Sequence, residues 1–570
     1  MKRVALTAAL VAAVAVWGLG LPPGRTPLSV DWSDGSVRGL LHVHSRTSDG
    51  RGTLDEIAAA AARAGLRFVV VTDHGDGSRR PEPPAYRSGV LVIDAVEIST
   101  RGGHYVALGL PRTPFPLGGD PSDVVDDVRR FGGFGVAAHP DSPKSELQWA
   151  DWSAPIDGLE LINPDTSWRV HAFTGRAWSR WLLLKTLLAY PVRPAESVAQ
   201  LLTESAQLRT RWMSLAAERE VVALAGADAH AKLAIRDTEP GDNRFSVPIP
   251  SYESSFDSLS VHVTPATPFS GEADRDAAGL IDALRRGRLY LAVDGWATPP
   301  SFTFTATAAG VSASHGETLV SPGPLTLHVR SNAPAGYETV VWRGNEAVTR
   351  RSESAFDVEV GSGPGVYWVE VLRPNSDGMP AWVTSNPIYV RETAPMPSLA
   401  PSVLPSDVRP LFDGSTTAGW SYESDRTSLA VVDVAPLAGG ARLRLRYGLS
   451  GGTAIGQYAA AAVSTPDGVA GAEGVAFRIR SEAPMRLSVQ VRAEVTGSAP
   501  ERWERSVFVE PTEGDRFVRF DRMTPVGATH ATTPPPGSVR SIMFVVDTTN
   551  TKPGASGRLW LGNVRLAGSR

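Results

Sequence analysis

The feature that most constrains the fold is a series of seven short apolar runs between residues 38 and 230. They read GLLHVH, FVVVTDH, VLVIDAVEIS, HYVALGL, GFGVAAHP, GLELIN and VVALAGADAH, and helix-forming stretches lie between them. Continuous apolar runs of this length are typical of strands buried on both faces, and their alternation with helices indicates a parallel sheet or a closed barrel. Seven runs favour a barrel. The whole chain has 570 residues, which is long enough for three or four domains.

Two helices have clear boundary signals. Thr53 and Glu56 have the spacing of a capping box ahead of an alanine-rich stretch, and Gly65 stands where such a helix would end. Asp120 and a proline at the next position predict a second helix start.

Ionisable residues recur in these runs, mostly at their carboxyl ends. His42 and His44 are two positions apart, so in a strand both imidazoles would point to the same side. The chain has 11 histidines, and six of them lie in these runs together with Glu97 and Asp228. Buried imidazoles and carboxylates are costly without compensation. Because α/β barrels keep their active sites at the carboxyl ends of the strands, the pattern predicts a metal site there.

The motifs HVHS…SDG, TDH, EIS, His-Pro and DAH, in that order, resemble the PHP (polymerase and histidinol phosphatase) superfamily of metal-dependent phosphoesterases across roughly residues 38–295. The resemblance implies a distorted seven-stranded β/α barrel with two or three divalent ions, either Mn, Zn or Fe. It implies a first ion bound by His42, His44, Glu97 and Asp228. Glu97 would bridge to a second ion held with His139 and His104, and a third ion would be bound by Asp49, His74 and His230.

The chemistry implied by the resemblance is hydrolysis by metal-bound hydroxide, with no further catalytic residue. Asp73 is expected to hold an imidazole in one tautomer. Asn163 is expected either to face the site or to form a turn. The candidates for binding a substrate phosphate are Arg46, Arg101, Lys144, Lys232 and Arg236.

The rest of the chain predicts further domains. A helical insertion at about 164–220 is expected to pack over the barrel mouth, to face a membrane or to act as a substrate lid. Residues 300–392 predict an Ig-like β-sandwich, residues 393–410 a proline-rich linker, and residues 411–570 a galactose-binding-like, jelly-roll β-sandwich. For that last domain, a carbohydrate-binding role rests on analogy of fold.

Residues 1–24 have the pattern of a signal peptide or an N-terminal membrane anchor, because Lys2 and Arg3 precede an apolar run of 18 residues. Either interpretation places the bulk of the chain outside the cytoplasm, in the periplasm or the extracellular space, and predicts membrane contact only through this segment. The chain has no cysteine, so any metal site must use His, Asp and Glu. A net charge of −4 without a basic block argues against nucleic-acid binding.

Three functions are compatible with these sequence features. The first is an exported hydrolase of phosphate mono- or diesters, acting on a small-molecule or glycan-linked ester. The second keeps the metal centre and cleaves a carbamate or carboxylic ester, since the barrel and following sandwich resemble an exported PHP subgroup similar to the carbaryl-type carbamate hydrolases. The third is a cell-surface binding protein whose barrel is only a metal-stabilised scaffold.

Overall fold

The computed structural model describes residues 20–174, 177–234, 243–321, 323–361, 363–393, 406–437, 439–453, 456–495 and 499–568. Most of the predicted leader and most of the predicted linker, at residues 1–19 and 394–405, lie outside the described residues. The chain forms two compact units. The first comprises residues 1–76, 80–111 and 125–396, and the second comprises residues 77–79, 112–124 and 397–570.

A closed ring of strands is the centre of the first unit. The strands of this region are β1 (Thr26–Pro27), β2 (Val37–Val43), β3 (Phe68–Val71), β4 (Ala85–Arg87), β5 (Val90–Asp94), β6 (Val96–Thr100), β7 (Gly103–Leu108), β8 (Phe134–Ala137), β9 (Gly158–Ile162), β10 (Val222–Ala229), β11 (Leu233–Ala234), β12 (Ser246–Val247), β13 (Ser260–Val263), β14 (Leu289–Ala292) and β15 (Ala297–Thr298). Parallel pairs join β2 to β3, β3 to β5, β8 to β9, β9 to β10 and β10 back to β2. The strand β7 is antiparallel to both β6 and β8. With β5 and β6 counted as one interrupted strand, the ring has seven members.

The helices of the first unit connect these strands. They are α1 (Leu54–Arg63), α2 (Pro121–Arg130, which begins in the second unit), α3 (Pro164–Arg169), α4 (Ala177–Ala189), α5 (Pro194–Ala199), α6 (Ala206–Glu218), α7 (Tyr252–Ser258) and α8 (Ala273–Arg285), with a π-helical turn at Val170–Thr174. The described part of the chain contains no helix that is both long and apolar enough to cross a membrane.

The predicted boundary signals of α1 are confirmed. The Thr53 hydroxyl accepts from the Glu56 backbone N–H while the Glu56 carboxylate accepts from the Thr53 N–H, so two otherwise unpaired donors at the helix start are satisfied. Gly65 follows the helix with φ +74, a left-handed conformation that glycine adopts without steric cost. The buried face, Ile57, Ala58 and Ala61, packs into the barrel core.

The sheet that includes β2 continues into the region predicted as an Ig-like sandwich. The strand β13 pairs with the first half of β2, then with β14, and β14 pairs with a strand of residues 300–392. The strands there are β16 (Phe302–Ala308), β17 (Val311–Ser314), β18 (Thr318–Val320), β19 (Leu325–Ser331), β20 (Glu338–Arg343), β21 (Glu346–Arg351), β22 (Ala355–Val360), β23 (Gly365–Leu372), β24 (Val383–Ser385) and β25 (Ile388–Arg391). A separate four-stranded sheet has the order β17-β16-β19-β22. One hydrophobic core spans the ring and these strands, so the region before and the region after residue 296 share one unit.

The second unit contains two six-stranded antiparallel sheets. Its strands are β26 (Ser406–Pro410), β27 (Trp420–Ser424), β28 (Leu429–Ala435), β29 (Arg442–Gly448), β30 (Tyr458–Ser464), β31 (Gly474–Ser481), β32 (Met485–Ala493), β33 (Glu501–Val509), β34 (Gly514–Arg519), β35 (Thr524–Pro525), β36 (Val539–Asp547) and β37 (Ser556–Gly568). One sheet has the order β28-β29-β37-β31-β34, with β26 on β37, and the other has the order β27-β30-β36-β32-β33-β35. Alternate residues of both sheets meet in one core, where Phe477 and Phe544 pack edge to face.

The segment Arg112–Val124, which precedes and begins α2, belongs to this second unit. Asp123 forms an ion pair of 3.0 Å with Arg486 on β32, and both side chains are 5% exposed or less. The Asn550 amide donates to the carbonyl oxygens of Pro116 and Gly118. Removing one partner of a buried ion pair generally destabilises a fold.

Candidate metal centre

All nine side chains predicted as metal ligands lie together at one end of the ring. They form four overlapping groups whose donor atoms lie within 4.8 Å of one another. These groups are His44/Asp49/His74/His230, His42/Glu97/His139, His42/His44/Asp228 and His74/Glu97/His104.

Glu97 stands at the centre of the cluster and is 1% exposed. Its Oε1 lies 2.8 Å from His104 Nδ1 and 3.0 Å from His139 Nε2. Its Oε2 lies 3.3 Å from an imidazole nitrogen of each of three further histidines, His42, His44 and His74. One carboxylate therefore touches five imidazoles with its two oxygens, as a ligand shared between ions would.

His104 reaches the cluster from a strand that runs against its neighbours. It lies near the start of β7, and because β7 is antiparallel its beginning lies at the same end of the ring as the carboxyl ends of the parallel strands. His104 therefore lies at the predicted end of the ring, although it stands at the beginning of its own strand and not at the carboxyl end.

Strand alternation does not explain why His42 and His44 converge. The backbone at His42 is left-handed, with φ +62, and the register of β2 shifts there against both β3 and β10. A bulge of this kind redirects a side chain that regular alternation would point elsewhere. Asp228 and His139 also have positive φ, at +48 and +30. Left-handed non-glycine residues cost about 1–3 kcal/mol each and cluster at functional sites.

Asp49 faces a second side of the cluster. The turn that follows β2 places its carboxylate 3.2 Å from His230 Nε2, 3.5 Å from His44 Nδ1 and 3.6 Å from His74 Nε2. Gly50 is required in this turn, because a Cβ there would come within 2.1 Å of the His44 carbonyl oxygen. The turn thus brings a carboxylate to His74 and His230, the two histidines that the sequence predicts beside it, and also to His44.

Glu160 is a functional candidate that the sequence motifs did not indicate. It lies in β9 and is 3% exposed, and its Oε1 lies 2.6 Å from His42 Nδ1. Its Oε2 accepts from the His139 backbone N–H and from the Asn163 amide, both at 2.8 Å. The only sequence signal was a lone carboxylate inside the apolar run GLELIN, which is costly to bury unless it has partners.

Of the two residues predicted to support the ligands, Asp73 has a different role from the one expected, whereas Asn163 forms local contacts of the kind expected for a turn. Asp73 accepts from the Ser45 N–H at 2.8 Å and from the Ser45 and Ser48 hydroxyls at 2.6 and 2.5 Å, so it braces the loop after β2 rather than an imidazole. The physical reason is that this loop folds back over the end of β3. Asn163 caps α3 through the Thr166 N–H and reaches the site only through Glu160.

The basic residues predicted to bind phosphate differ in their exposure to solvent. Arg46 and Arg101 are exposed, and Lys232 is half-buried. Lys144 lies 3.9 Å from Glu146. Arg236 lies outside the described residues. Their role in substrate binding stays a prediction.

The electrostatics of the cluster hold its carboxylates ionised. Burial opposes ionisation of Glu97, but the surrounding imidazoles, His42 foremost, bring its pKa well below the ordinary value. Burial is likewise outweighed at Asp49 and Asp228, whose pKa values are lowered by neighbouring histidines. At His44, burial disfavours the charged form, yet Asp228 and Glu97 raise its pKa to about 10. The negative charge of the three buried or partly buried carboxylates is therefore stabilised by nearby positive charge, which protonated imidazoles or divalent cations can supply.

Four nitrogen–oxygen distances in the cluster match the separation of two ligands on one ion. His42 Nε2 lies 3.3 Å from Glu97 Oε2 and 3.5 Å from Asp228 Oδ1. His44 Nε2 lies 3.3 and 3.4 Å from the same two oxygens. Two donors bound to a tetrahedral ion at about 2.0–2.1 Å lie roughly 3.3–3.4 Å apart. Among the described residues, neither these two nitrogens nor Glu97 Oε2 has a hydrogen-bond partner although all three are buried, so the residues present fit a divalent cation.

Comparisons with known proteins give partial matches. No family model matches the chain. The chain is 27% identical over 137 residues to an uncharacterized protein of Methanocaldococcus jannaschii, which covers 22% of this chain and 80% of that protein. It is 36% identical over 72 residues to an error-prone DNA polymerase of Symbiobacterium thermophilum, which covers 12% of this chain but only 7% of the polymerase.

Among solved structures, the chain is similar in part to carbohydrate-binding modules. A family 11 module from Clostridium thermocellum, in complex with a β-1,3-1,4-mixed-linked tetrasaccharide, has 17% identity and a TM-score of 0.25, over 28% of this chain and 95% of the module. An agarase has 14% identity and a TM-score of 0.22, over 29% of this chain and 26% of the agarase.

Proposed function

We propose that this chain is a metal-dependent hydrolase of the PHP type that cleaves phosphate mono- or diesters. The observation that carries the proposal is the set of four nitrogen–oxygen distances of 3.3–3.5 Å that join His42 and His44 to Glu97 and Asp228, each matching the separation of two ligands on one ion. The second and third groups, around His139 with His104 and around Asp49 with His74 and His230, are our candidates for further ions.

The chain's own residues would prepare the site for such ions. Glu160 accepts a hydrogen bond from the His42 Nδ1–H, which holds the proton on Nδ1 and would leave Nε2 of the neutral imidazole free to bind a cation. Glu97 presents one oxygen to each side of the cluster and can join two ions. Bound divalent cations would supply a water that ionises near neutral pH and positive charge for phosphoryl oxygens.

The comparisons support this proposal in a limited way. The PHP superfamily takes its name from polymerases as well as phosphatases, so the match of 72 residues to an error-prone DNA polymerase is compatible with it. The closed ring of seven strands and the clustered ligands agree with what the resemblance implies. Placement in the exported subgroup similar to carbaryl-type carbamate hydrolases rests on the sequence resemblance.

A carbamate or carboxylic ester is the second candidate substrate, because a metal-activated water can attack a carbonyl carbon with the same ligand set. Export, and a carbohydrate-binding role for residues 411–570, are further proposals. The first rests on the N-terminal sequence and the second on the predicted fold of that domain.

The proposal is tested with the full chain loaded with Mn²⁺ or Zn²⁺. Hydrolysis of p-nitrophenyl phosphate, bis-p-nitrophenyl phosphate and p-nitrophenyl acetate is compared in the wild type, in Asp228→Ala and in the control Asp357→Ala, which changes an exposed aspartate paired with His328. We expect phosphoester turnover that is lost in Asp228→Ala and retained in the control. Acetate turnover alone, lost in the same variant, would favour the ester. No turnover of any substrate would refute the hydrolase and leave a metal-stabilised binding scaffold.

A further inference from the structure

The helix α4 presents apolar side chains to solvent. Trp178 is 73% exposed, Trp181 is 52% exposed, and Leu184 and Leu187 are each 47% exposed. These residues follow one another at three-residue intervals and so lie along one broad side of the helix. The opposite side is buried through Thr186 and Ala189. Large apolar side chains that are exposed together along one side of a helix mark an interaction surface.

The composition of this side indicates which partner it fits. Tryptophan is enriched where a protein meets the headgroup region of a bilayer, since its ring is apolar and its N–H can still bond to water. Arg180 is exposed on the same helix and Lys185 is half-buried beside the leucines. Tryptophan and leucine flanked by basic residues are typical of helices that lie in the membrane interface.

The place where the N-terminal segment joins the described chain supports the same partner. The Arg193 guanidinium, four residues after the end of α4, donates to the Pro22 carbonyl oxygen. The Arg25 backbone N–H donates to Glu196 Oε1 at 3.3 Å. Residues 22–25, which directly follow the apolar run of the sequence, therefore lie beside the carboxyl end of α4, close in the chain to exposed Val192.

We propose that the outward side of α4 is a docking surface for a lipid bilayer, on which the helix lies in the plane of the membrane interface. The inference relies on the N-terminal run being membrane-inserted and does not depend on the hydrolase activity. A helix of 13 residues is about 20 Å long and is too short to span a bilayer. Membrane contact would thus extend beyond the N-terminal segment to a surface of the folded unit.

The absence of cysteine allows a direct test. The full chain carrying Leu184→Cys, or as a second site Leu187→Cys, is labelled with a nitroxide and reconstituted in vesicles of phosphatidylcholine with phosphatidylglycerol. The matched control is Val311→Cys, which lies in β17 of the first unit and is 57% exposed. Collision rates with oxygen, which partitions into lipid, and with a water-soluble nickel complex are measured by electron paramagnetic resonance.

We expect oxygen accessibility to exceed nickel accessibility several-fold at residue 184 or 187, and the reverse at residue 311. High nickel accessibility at the α4 sites would show that the helix faces water and would overturn the proposal. Low accessibility to both reagents would show that protein covers the helix, either the N-terminal segment or a second copy of the chain, and would overturn it equally. No step requires a metal ion, so failure here is distinguishable from failure of the proposed activity.

Discussion

Replacing Glu160 by glutamine should weaken metal binding although Glu160 is not expected to touch a metal. Its Oε1 accepts a hydrogen bond from the His42 Nδ1–H, and its Oε2 accepts from the His139 N–H and the Asn163 amide. A glutamine has only one acceptor oxygen. If the amide nitrogen faces His139 and Asn163, two pairs of donors oppose each other. If it faces His42, the imidazole must accept at Nδ1 and carry its proton at Nε2, the atom that should bind the cation.

The magnitude follows from this conflict. Loss of a residue that orients a metal-binding histidine typically lowers metal affinity by about 10–100-fold, which is roughly 1.4–2.8 kcal/mol. A buried donor left without a partner also costs the fold about 1–3 kcal/mol, so some loss of thermal stability should accompany it. The side chain is 3% exposed, and water therefore gives little relief.

The assay is a competition titration of Mn²⁺ or Zn²⁺ against a chromophoric chelator, with circular dichroism to confirm that each variant is folded. The control is Glu370→Gln, which replaces another buried carboxylate of the same unit. Burial foremost, together with the nearby Glu204 charge, raises the pKa of Glu370 to about 7. The control should bind metal as the wild type does. A folded Glu160→Gln protein with metal affinity within twofold of the wild type would show that the hydrogen bond to His42 does not control metal binding.

Three further predictions concern packing, pH and the second unit. Gly226→Ala should reduce metal affinity, because a Cβ at this position would come within 1.8 Å of the Glu160 carboxylate. The control Gly279→Ala has open space around it in α8, so this variant should bind metal normally and have a slightly higher melting temperature. Burial lowers the pKa of His262 to about 4, so between about pH 6.5 and 4 the unfolded chain binds a proton that the folded chain does not, and stability falls as the pH falls. In His262→Phe the loss of stability between pH 7 and 4.5, measured by urea unfolding, should therefore be smaller by roughly 2–3 kcal/mol, and an unchanged loss would contradict this. Asp123→Asn should destabilise the second unit by about 1.5–3 kcal/mol in calorimetry, because Arg486 would lose a buried charge-assisted contact with the Asp123 carboxylate, and an unshifted transition would show that the pair contributes little.

The sequence predicted which side chains gather at the cluster better than it predicted how they do so. Chemically similar residues at the ends of apolar runs have few alternatives to converging at one end of a ring, and all nine meet there. The backbone was less predictable. The bulge at His42 depends on pairing with two other strands, and no local pattern in GLLHVH indicates it.

Residues that act through others were hardest to find from sequence. Glu160 and Asp73 are both buried carboxylates beside apolar runs, yet one supports an imidazole and the other a loop. Their partners come from 118 and 28 residues away in the chain, so the assignment depends on the folded ring. The sequence likewise did not predict that Arg112–Val124 belongs to the second unit, because the residues that it contacts lie more than 300 positions later in the chain.

The decisive measurement for the metal centre is anomalous diffraction from crystals of the full chain grown with Mn²⁺. We predict an anomalous peak bonded to His42 Nε2, His44 Nε2, Glu97 Oε2 and Asp228 Oδ1, and the loss of this peak in Asp228→Ala crystals. Crystals that bind Mn²⁺ elsewhere but show no anomalous density beside Glu97 would contradict the assignment of these four ligands.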